Sequence, residues 1–397
     1  MCGKANFTNL SRYSDYSERT YRRQYRQEVD FIKFHAALIG TAIDADREQI
    51  AAIDCSFIGK SGTKTWGLDH FYNGSAGKAE KGLEISVIAV VDVAAHQGYT
   101  LSVQQTKAAT VEAVVPTVVP VPVPPKGKKK RSRQPTEPVV SERVKGYIDQ
   151  LKTARPYLPA AVKYLTGDSF YSKKSMVDAV RELGLHLVSK LRIDANLRYL
   201  YSGPRNLQGA PRQYDGKVDL NDLSRLTWVT QLETGEHLYT QVVWHVSLKR
   251  TIRIVYLLDL SKPDHPRAAL LFSTDTELDP LLLYTYYKAR FQIEFVFRDA
   301  KQFTGLGDCQ SRHPGSLDFH FNASLAALNL AKLDQQSSQP PSDSKSQPVS
   351  LSMATYKRQA LNHHFLDLFI SMLDLDPTLI KSHPNYQNLL HYGSLTS

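Results

Sequence analysis

The stretch LEISVIAVVDV, at residues 83–93, is apolar at most positions and rich in valine and isoleucine. Such a run predicts a central strand that is buried on both faces of a sheet. On either side, AAIDCSFI (51–58) and GYTLSVQQT (98–106) predict two more strands. We therefore expect a sheet at the centre of the fold.

Helical and strand-like segments alternate further along the chain. SERVKGYIDQLKTAR (141–155) and KKSMVDAVREL (173–183) predict helices. KYLTGDSFY (163–171) predicts a strand that ends in a turn, and LHLVSKLR (185–192) predicts a further strand. Together with the upstream strands, this alternation predicts an α/β fold.

Residues 193–272 have strand patterns, the clearest being a hairpin with Gly235 at its turn. Asp279 and Pro280 then suit the N-cap and first residue of a helix, which we predict over 280–303. Further helices are expected near the C-terminus, at 324–333 and 353–375.

Charge and cysteine content limit the function classes. The 49 Lys+Arg against 39 Asp+Glu give a net charge of +10, which indicates either a polyanionic partner such as nucleic acid or a solvated basic surface. Cys2, Cys55 and Cys309 match neither a metal-ligand spacing nor a disulfide framework, which favours a reducing compartment. Since neither a secretory signal nor a membrane-length apolar run is found, we expect a cytoplasmic protein that does not contact membranes.

Two basic segments could contact DNA. Residues 7–13 and the segment after Ser17 predict a helix, a turn and a second helix, with Ser17 as the N-cap. The second helix groups four arginines toward one side, and it is either a DNA-contacting helix or an ordinary basic surface: Arg19, Arg22, Arg23 and Arg26. In residues 107–140, recurrent prolines and a lysine-rich run predict an extended loop that is either solvated or in contact with DNA.

Three acids are candidates for catalysis. Asp54 interrupts an apolar strand, where an ionised carboxylate needs a partner or a metal. Asp168 lies at the carboxyl end of a predicted strand, and Glu294 lies within the predicted helix 280–303. Two strand-borne aspartates and one helix-borne glutamate suit a site for two Mg²⁺ ions.

Each acid also has an alternative interpretation. Asp54 could lie at an exposed edge or be hydrogen-bonded, and Asp168 could be a turn residue. Glu294 could pair with Arg290 or Arg298 on a helix surface. Four other acids are competitors that spacing does not exclude: Asp92, Asp178, Asp275 and Asp299.

The helix around Glu294 favours the catalytic interpretation. At the helical period, Tyr287, Arg290, Glu294 and Lys301 fall on one narrow stripe of an otherwise largely aromatic and apolar helix. An acid between two cations and a phenol suits a metal ligand flanked by phosphate contacts. A solvated polar face is the alternative.

These four residues, spaced Y-x2-R-x3-E-x6-K, resemble the signature of the bacterial DDE transposases in the group named after insertion sequence 4. RFQIEFVFRDAKQFTGL (290–306) resembles the sequence around that group's third acid, IDCSFIGKSG (53–62) its first-Asp strand and YLTGDSFYS (164–172) its second-Asp turn. The resemblance covers roughly residues 50–330, and the motifs occur in the same order.

The resemblance implies a ribonuclease-H-like mixed-sheet core interrupted by a β-rich insertion, with helical regions at both ends. The expected organisation begins with a DNA-binding helical region (1–48), the first part of the core (49–192) and the β-rich insertion (193–272). The last part of the core (273–335), a flexible loop (336–350) and a C-terminal helical region (351–397) follow. The loop 107–140 lies outside the motif set and is interpreted as an insertion in the core.

The resemblance also implies a chemistry. Asp54, Asp168 and Glu294 would bind two Mg²⁺ ions, which Mn²⁺ could replace, to nick the terminal inverted repeats of an insertion sequence and join the freed 3′-OH to target DNA. Tyr287, Arg290 and Lys301 would contact the DNA end. The enzyme would act as a homodimer associated with the nucleoid.

That group is known for a hairpin on the element end, with a displaced base held by an aromatic residue. Trp228 and Trp244 are candidates for this stacking, with a place in a hairpin core as the alternative. Two other functions stay open, a metal-dependent nuclease without strand transfer and a non-catalytic DNA-binding regulator. The intact acids argue against the regulator, and inverted repeats flanking the gene would favour the transposase.

Overall fold

The computed structural model describes residues 3–107, 140–204, 211–261, 267–337 and 352–394. The loop predicted at 107–140 lies outside the described residues except for its two ends, as does most of the loop predicted at 336–350.

The described residues form one sheet with helices at both ends of the chain, which confirms the α/β prediction. The strands are β1 (Gln49–Gly59), β2 (Asp69–Asn73), β3 (Lys78–Asp92), β4 (Gln97–Gln105), β5 (Tyr164–Thr166), β6 (His186–Leu191), β7 (Leu197–Leu200), β8 (Tyr214–Lys217), β9 (Thr227–Gln231), β10 (His237–His245), β11 (Arg250–Asp259) and β12 (Arg267–Ser273). The helices are α1 (Phe7–Leu10), α2 (Glu18–Gln24), α3 (Phe31–Ala42), α4 (Glu142–Ala154), α5 (Lys174–Glu182), α6 (Pro280–Ala289), α7 (Gln292–Phe303), α8 (Pro314–Ser337), α9 (Met353–Met372), α10 (Pro377–Lys381) and α11 (Pro384–Leu390).

The sheet is mixed. β1 runs parallel to β5 and β5 runs parallel to β6, whereas β1 and β3 are antiparallel. β3 also pairs with β2 and β4, and β12 joins β6 to the antiparallel strands that follow β6 in the chain. The β-rich stretch of the sequence therefore extends the sheet that contains β1.

Alternate residues of β1 face two different hydrophobic layers. Ala51 and Ile53 belong to the core shared with α3, α4 and α5, whereas Ile50 and Ala52 belong to the core shared with α6, α7 and α8. Because successive side chains of a strand point to opposite faces, Asp54 points toward α6, α7 and α8. Strand periodicity alone thus places this acid opposite the helix that contains Glu294.

The single helix predicted over 280–303 is divided into α6 and α7. At the junction, the N–H groups of Phe291, Ile293 and Glu294 bond to carbonyls three residues earlier, which is the tighter 3-10 pattern. α6 contacts β11, β12 and β6, whereas α7 contacts β4 and β1. Because the strands of a sheet are rotated relative to one another, a straight helix cannot follow both parts.

Several local predictions are confirmed. The side chains of Ser17 and Asp279 accept backbone N–H groups and cap α2 and α6. Gly235 lies in the turn between β9 and β10 with φ of 95°, a conformation that favours glycine. Across the described ranges, no helix combines the length and the apolar character needed to cross a membrane.

Candidate active site

Asp54 and Asp168 lie at equivalent positions of two neighbouring parallel segments, Asp54 within β1 and Asp168 just after β5. Ala52 of β1 pairs with Thr166 of β5, and each aspartate follows two residues later in its own segment. β5 ends in the predicted turn, where Asp168 caps a short 3-10 helix by accepting the Phe170 N–H at 2.9 Å. Asp168 is therefore a turn residue and also a neighbour of β1, so the two interpretations of this acid are compatible.

Arg290 connects Asp54 to Glu294. Its Nη1 lies 3.2 Å from Asp54 Oδ2 and its Nη2 lies 2.8 Å from Glu294 Oε1. The Arg290 side chain is only 12% exposed, so this contact differs from the surface pair considered from the sequence. The first and third acids therefore lie within reach of one guanidinium group.

The surroundings of Asp54 disfavour its ionised form. Burial raises the pKa of Asp54 to about 6, while the Cys55 N–H and the charge of Arg290 oppose this shift. The nearby carboxylates of Asp168 and Glu294 raise the pKa of Asp54 further. Three mutually repelling carboxylates therefore gather at a place where additional positive charge would be stabilising.

The donor set suits a hard divalent cation, because Mg²⁺ and Mn²⁺ prefer carboxylate oxygens and retain water ligands. In the parts of the chain that the structure describes, no group of three or more His, Cys, Asp or Glu side chains is arranged to hold a metal ion. Arg290 provides the positive charge between Asp54 and Glu294. The acids thus fit the ion chemically, provided that Arg290 releases at least one of them.

The other two residues of the polar stripe differ in their surroundings. The Arg290 guanidinium carbon lies 5.7 Å from the centroid of the Tyr287 ring, and burial raises the pKa of Tyr287. Lys301 is exposed and has no ion pair with any described residue. It lies two helical turns beyond Glu294, about 10 Å along α7. Tyr287 is therefore close to the acids, and Lys301 extends the stripe away from them.

The competing acids have partners elsewhere. Asp92 pairs with Arg47, Asp178 with Lys174 and Arg250, Asp299 with Arg298, and Asp275 accepts the Tyr164 hydroxyl. These contacts account for the four acids without a role beside Asp54.

The four N-terminal arginines are all exposed, and they differ in position. Arg19, Arg22 and Arg23 lie in α2, whereas Arg26 follows its end. Arg22 pairs with Glu18 and lies over the Phe7 ring, at 5.1 Å from its centroid.

The two tryptophans face opposite sides of the sheet. Trp228 is 57% exposed and pairs with Tyr239, which packs on the core of α3, α4 and α5. Trp244 follows Val243 of that same core and therefore points to the other face, where its ring lies 5.6 Å from that of Tyr214. Trp244 is thus on the face that α6 and α7 cover.

Lys173 was not identified from the sequence. It follows the short helix that Asp168 caps, and its Nζ lies 3.6 Å from the centroid of the Phe170 ring. Burial and the charge of Arg143 lower the pKa of Lys173, and the nearby Asp168 carboxylate partly opposes this shift. The only signal in the sequence was its position five residues after Asp168, in SFYSKK.

No curated protein matches the chain. Residues 136–330, just under half of the chain, match the model of a family described as Transposase DDE domain. The matched range includes Asp168, the whole polar stripe and the strands between them, whereas Asp54 precedes it. This match supports a DDE transposase.

Proposed function

We propose that this protein is a transposase of the insertion sequence 4 group that binds terminal inverted repeats as a homodimer, cleaves at the element ends and transfers the 3′-OH strand to target DNA. The observation that carries the proposal is the Arg290 guanidinium, which joins Asp54 on a central strand to Glu294 on a covering helix. Asp168 follows the strand that pairs with β1, and its carboxylate acts on the pKa of Asp54. This arrangement supports the three acids as one site and the sheet around β1 as a ribonuclease-H-like core.

Asp54, Asp168 and Glu294 would hold the metal ions. Two Mg²⁺ ions, when bound, activate the attacking oxygen and stabilise the leaving oxygen of a phosphodiester. The partial burial of Asp54 limits access of water and strengthens electrostatic interactions at the site. The three carboxylates come from different elements, so the fold rather than any one segment would set their spacing.

Arg290 would change partners when DNA binds. Its Nε is buried without a hydrogen-bond partner among the described residues. A phosphate oxygen is a suitable acceptor, because guanidinium groups bind phosphates bidentately. Lys301 and Lys173 would supply further cations on two sides of the acids, and Tyr287 would donate or stack beside Arg290.

Trp244 is the better candidate for stacking on a displaced base. It lies on the face of the sheet that α6 and α7 cover, whereas Trp228 lies on the opposite face. Aromatic stacking on a base is worth about 1–3 kcal/mol per base.

The acids are tested one at a time, with DNA duplexes whose sequence is that of the element ends, the inverted repeats that flank the gene. Asp54→Asn, Asp168→Asn and Glu294→Gln should each abolish Mg²⁺-dependent nicking while leaving the affinity for the duplex within about twofold, because the metal ligands act on the reacting phosphate. Glu277→Gln, an exposed acid before α6, is the matched control and should cleave normally.

Two results would contradict parts of the proposal. Substantial nicking by a purified variant of one acid would remove that residue from the site. Nicking by the wild-type protein without any joined product would favour the nuclease without strand transfer.

A further inference from the structure

A cleft of about 960 Å³ lies between the N-terminal segment and the start of α8. Arg22 and Arg26 line one wall, and Arg312 and His313 line the other. The two walls are formed by segments that are far apart in the sequence, so local sequence patterns in either segment do not predict the cleft.

Arg26 and Arg312 are available to a ligand. Both are exposed, and neither has a carboxylate within 4.0 Å among the residues that the structure describes. Glu28 and Asp318 also line the cleft, and neither forms an ion pair with any arginine in the part of the chain that the structure describes. Arg22 differs, because its guanidinium is already bonded to Glu18. Two unpaired guanidinium groups on facing walls therefore suit an anionic ligand.

The walls of the cleft are fixed by packing. The Tyr25 ring lies 4.6 Å from the ring centroids of both Phe7 and Phe319, which attaches α2 to α8. On the other wall, the Arg312 carbonyl accepts the Trp66 N–H at 3.0 Å. Because the backbone on both sides is held, binding a ligand requires ordering of side chains only, which preserves affinity.

The cleft is separate from the candidate active site. β1 runs five residues from Asp54 to Gly59, and the next residue, Lys60, donates to the carbonyl of Cys309, just before the wall that contains Arg312. A strand rises about 3.3 Å per residue, so this wall is on the order of 20 Å from Asp54. One DNA strand advances about 3.4 Å per nucleotide, so this separation corresponds to roughly six base pairs.

We propose that this cleft binds the phosphodiester backbone of duplex DNA through Arg26 and Arg312, roughly six base pairs from the cleaved phosphate. The position relative to the cleavage point rests on the proposed function, whereas backbone binding does not. Gly315 and Ser316, in the first turn of α8, also line the cleft, and the N–H end of a helix favours the same phosphate charge. This assignment divides the four N-terminal arginines, because Arg26 would contact DNA while Arg19 and Arg23 lie outside the cleft.

The test measures binding of the full chain to a 30-base-pair duplex by fluorescence anisotropy at several salt concentrations, without divalent metal. The plot of log K against log salt has a negative slope, and each phosphate contact contributes about 0.9 to its steepness. Arg26→Ala combined with Arg312→Ala should therefore make the slope shallower by about two. Arg19→Ala combined with Arg23→Ala removes the same charge and should leave the slope unchanged. Arg26→Lys combined with Arg312→Lys keeps both positive charges and should therefore keep most of the slope. This result would show that the fold tolerates substitution at both positions.

An equal fall in slope for both alanine pairs would mean that the arginines act only through net charge, and it would overturn the proposal. An unchanged slope for Arg26→Ala with Arg312→Ala would overturn it as well. Failure of the wild-type chain to bind any duplex would overturn this proposal and the proposed function together, whereas the two slope results above would overturn this proposal alone. Asp54→Asn should bind with the wild-type slope, because the measurement does not depend on cleavage.

Discussion

Arg290 is shared between two acids that are 240 residues apart in the chain, Asp54 and Glu294, at 3.2 Å and 2.8 Å respectively. Its low exposure means that water cannot replace these bonds freely. The sequence placed Arg290 on a polar stripe and suggested either a contact with DNA or a surface pair with Glu294. The contacts add a structural role, which is to neutralise the acids in the absence of a cation.

Arg290→Ala should therefore destabilise the metal-free protein by about 2 kcal/mol, because it leaves the partly buried Asp54 without its counter-charge; breaking a fully buried pair costs about 3–5 kcal/mol. Lys301→Ala, on the exposed part of the same stripe, should change the free energy of unfolding by less than about 0.5 kcal/mol. Urea unfolding in the presence of a chelator measures both. Equal stabilities of the two variants would show that Arg290 does not stabilise the acids.

Divalent metal should stabilise the wild-type protein. A ligand that binds only the folded state adds about 2.7 kcal/mol at a concentration of 100 times its Kd, so Mg²⁺ or Mn²⁺ should raise the unfolding temperature and a chelator should reverse the rise. Asp54→Asn and Glu294→Gln should reduce the effect, and Glu277→Gln should retain it. If the variant lacking all three acids is stabilised as strongly as the wild type, the ion binds elsewhere.

Stability should fall in mild acid because of His35. Burial lowers the pKa of His35 to about 4, and its Nδ1 contacts the side-chain amide of Asn329 at 3.1 Å. The unfolded chain binds this proton near pH 6.5. The stabilisation is therefore complete above pH 6.5 and is lost as the pH falls toward 4, by up to roughly 3 kcal/mol.

His35→Gln should flatten this part of the curve of stability against pH, since glutamine can accept from the same amide and does not titrate. The exposed His70 provides the control, because His70→Gln should leave the curve unchanged. A wild-type curve that is parallel to that of His35→Gln between pH 4 and 6.5 would contradict the assignment.

Lys173→Gln should weaken cleavage by on the order of tenfold, since one charge-assisted hydrogen bond to a phosphate is worth about 1.5–3 kcal/mol. Its stability should change by about 1 kcal/mol at most, because Lys173 stacks on Phe170 at an exposed position. The neighbouring Lys174 pairs with Asp178, so Lys174→Gln is a matched control that should cleave normally. Equal cleavage by the two variants would exclude Lys173 from the site.

The sequence by itself determined the strands around Asp54, the caps of two helices and the candidate acids. Period-two and apolar patterns predicted β1, β3 and β4, and Asp54 was conspicuous because it interrupts an apolar strand. Capping residues are local, so Ser17 and Asp279 were also identified correctly. The polar stripe from Tyr287 to Lys301 was visible because residues on one side of a helix recur at a fixed interval.

Only the tertiary structure decided which of these residues meet. The register of β1 with β5 brings Asp168 beside Asp54, and the division between α6 and α7 depends on how each half packs on a twisted sheet. The spacing of Arg290 and Glu294 already suggested that they could pair, but the bond of Arg290 to Asp54 depends on a contact across 236 residues. The cleft lined by Arg26 and Arg312 could not be predicted from the sequence either, because local patterns carry no information on which distant segments pack together.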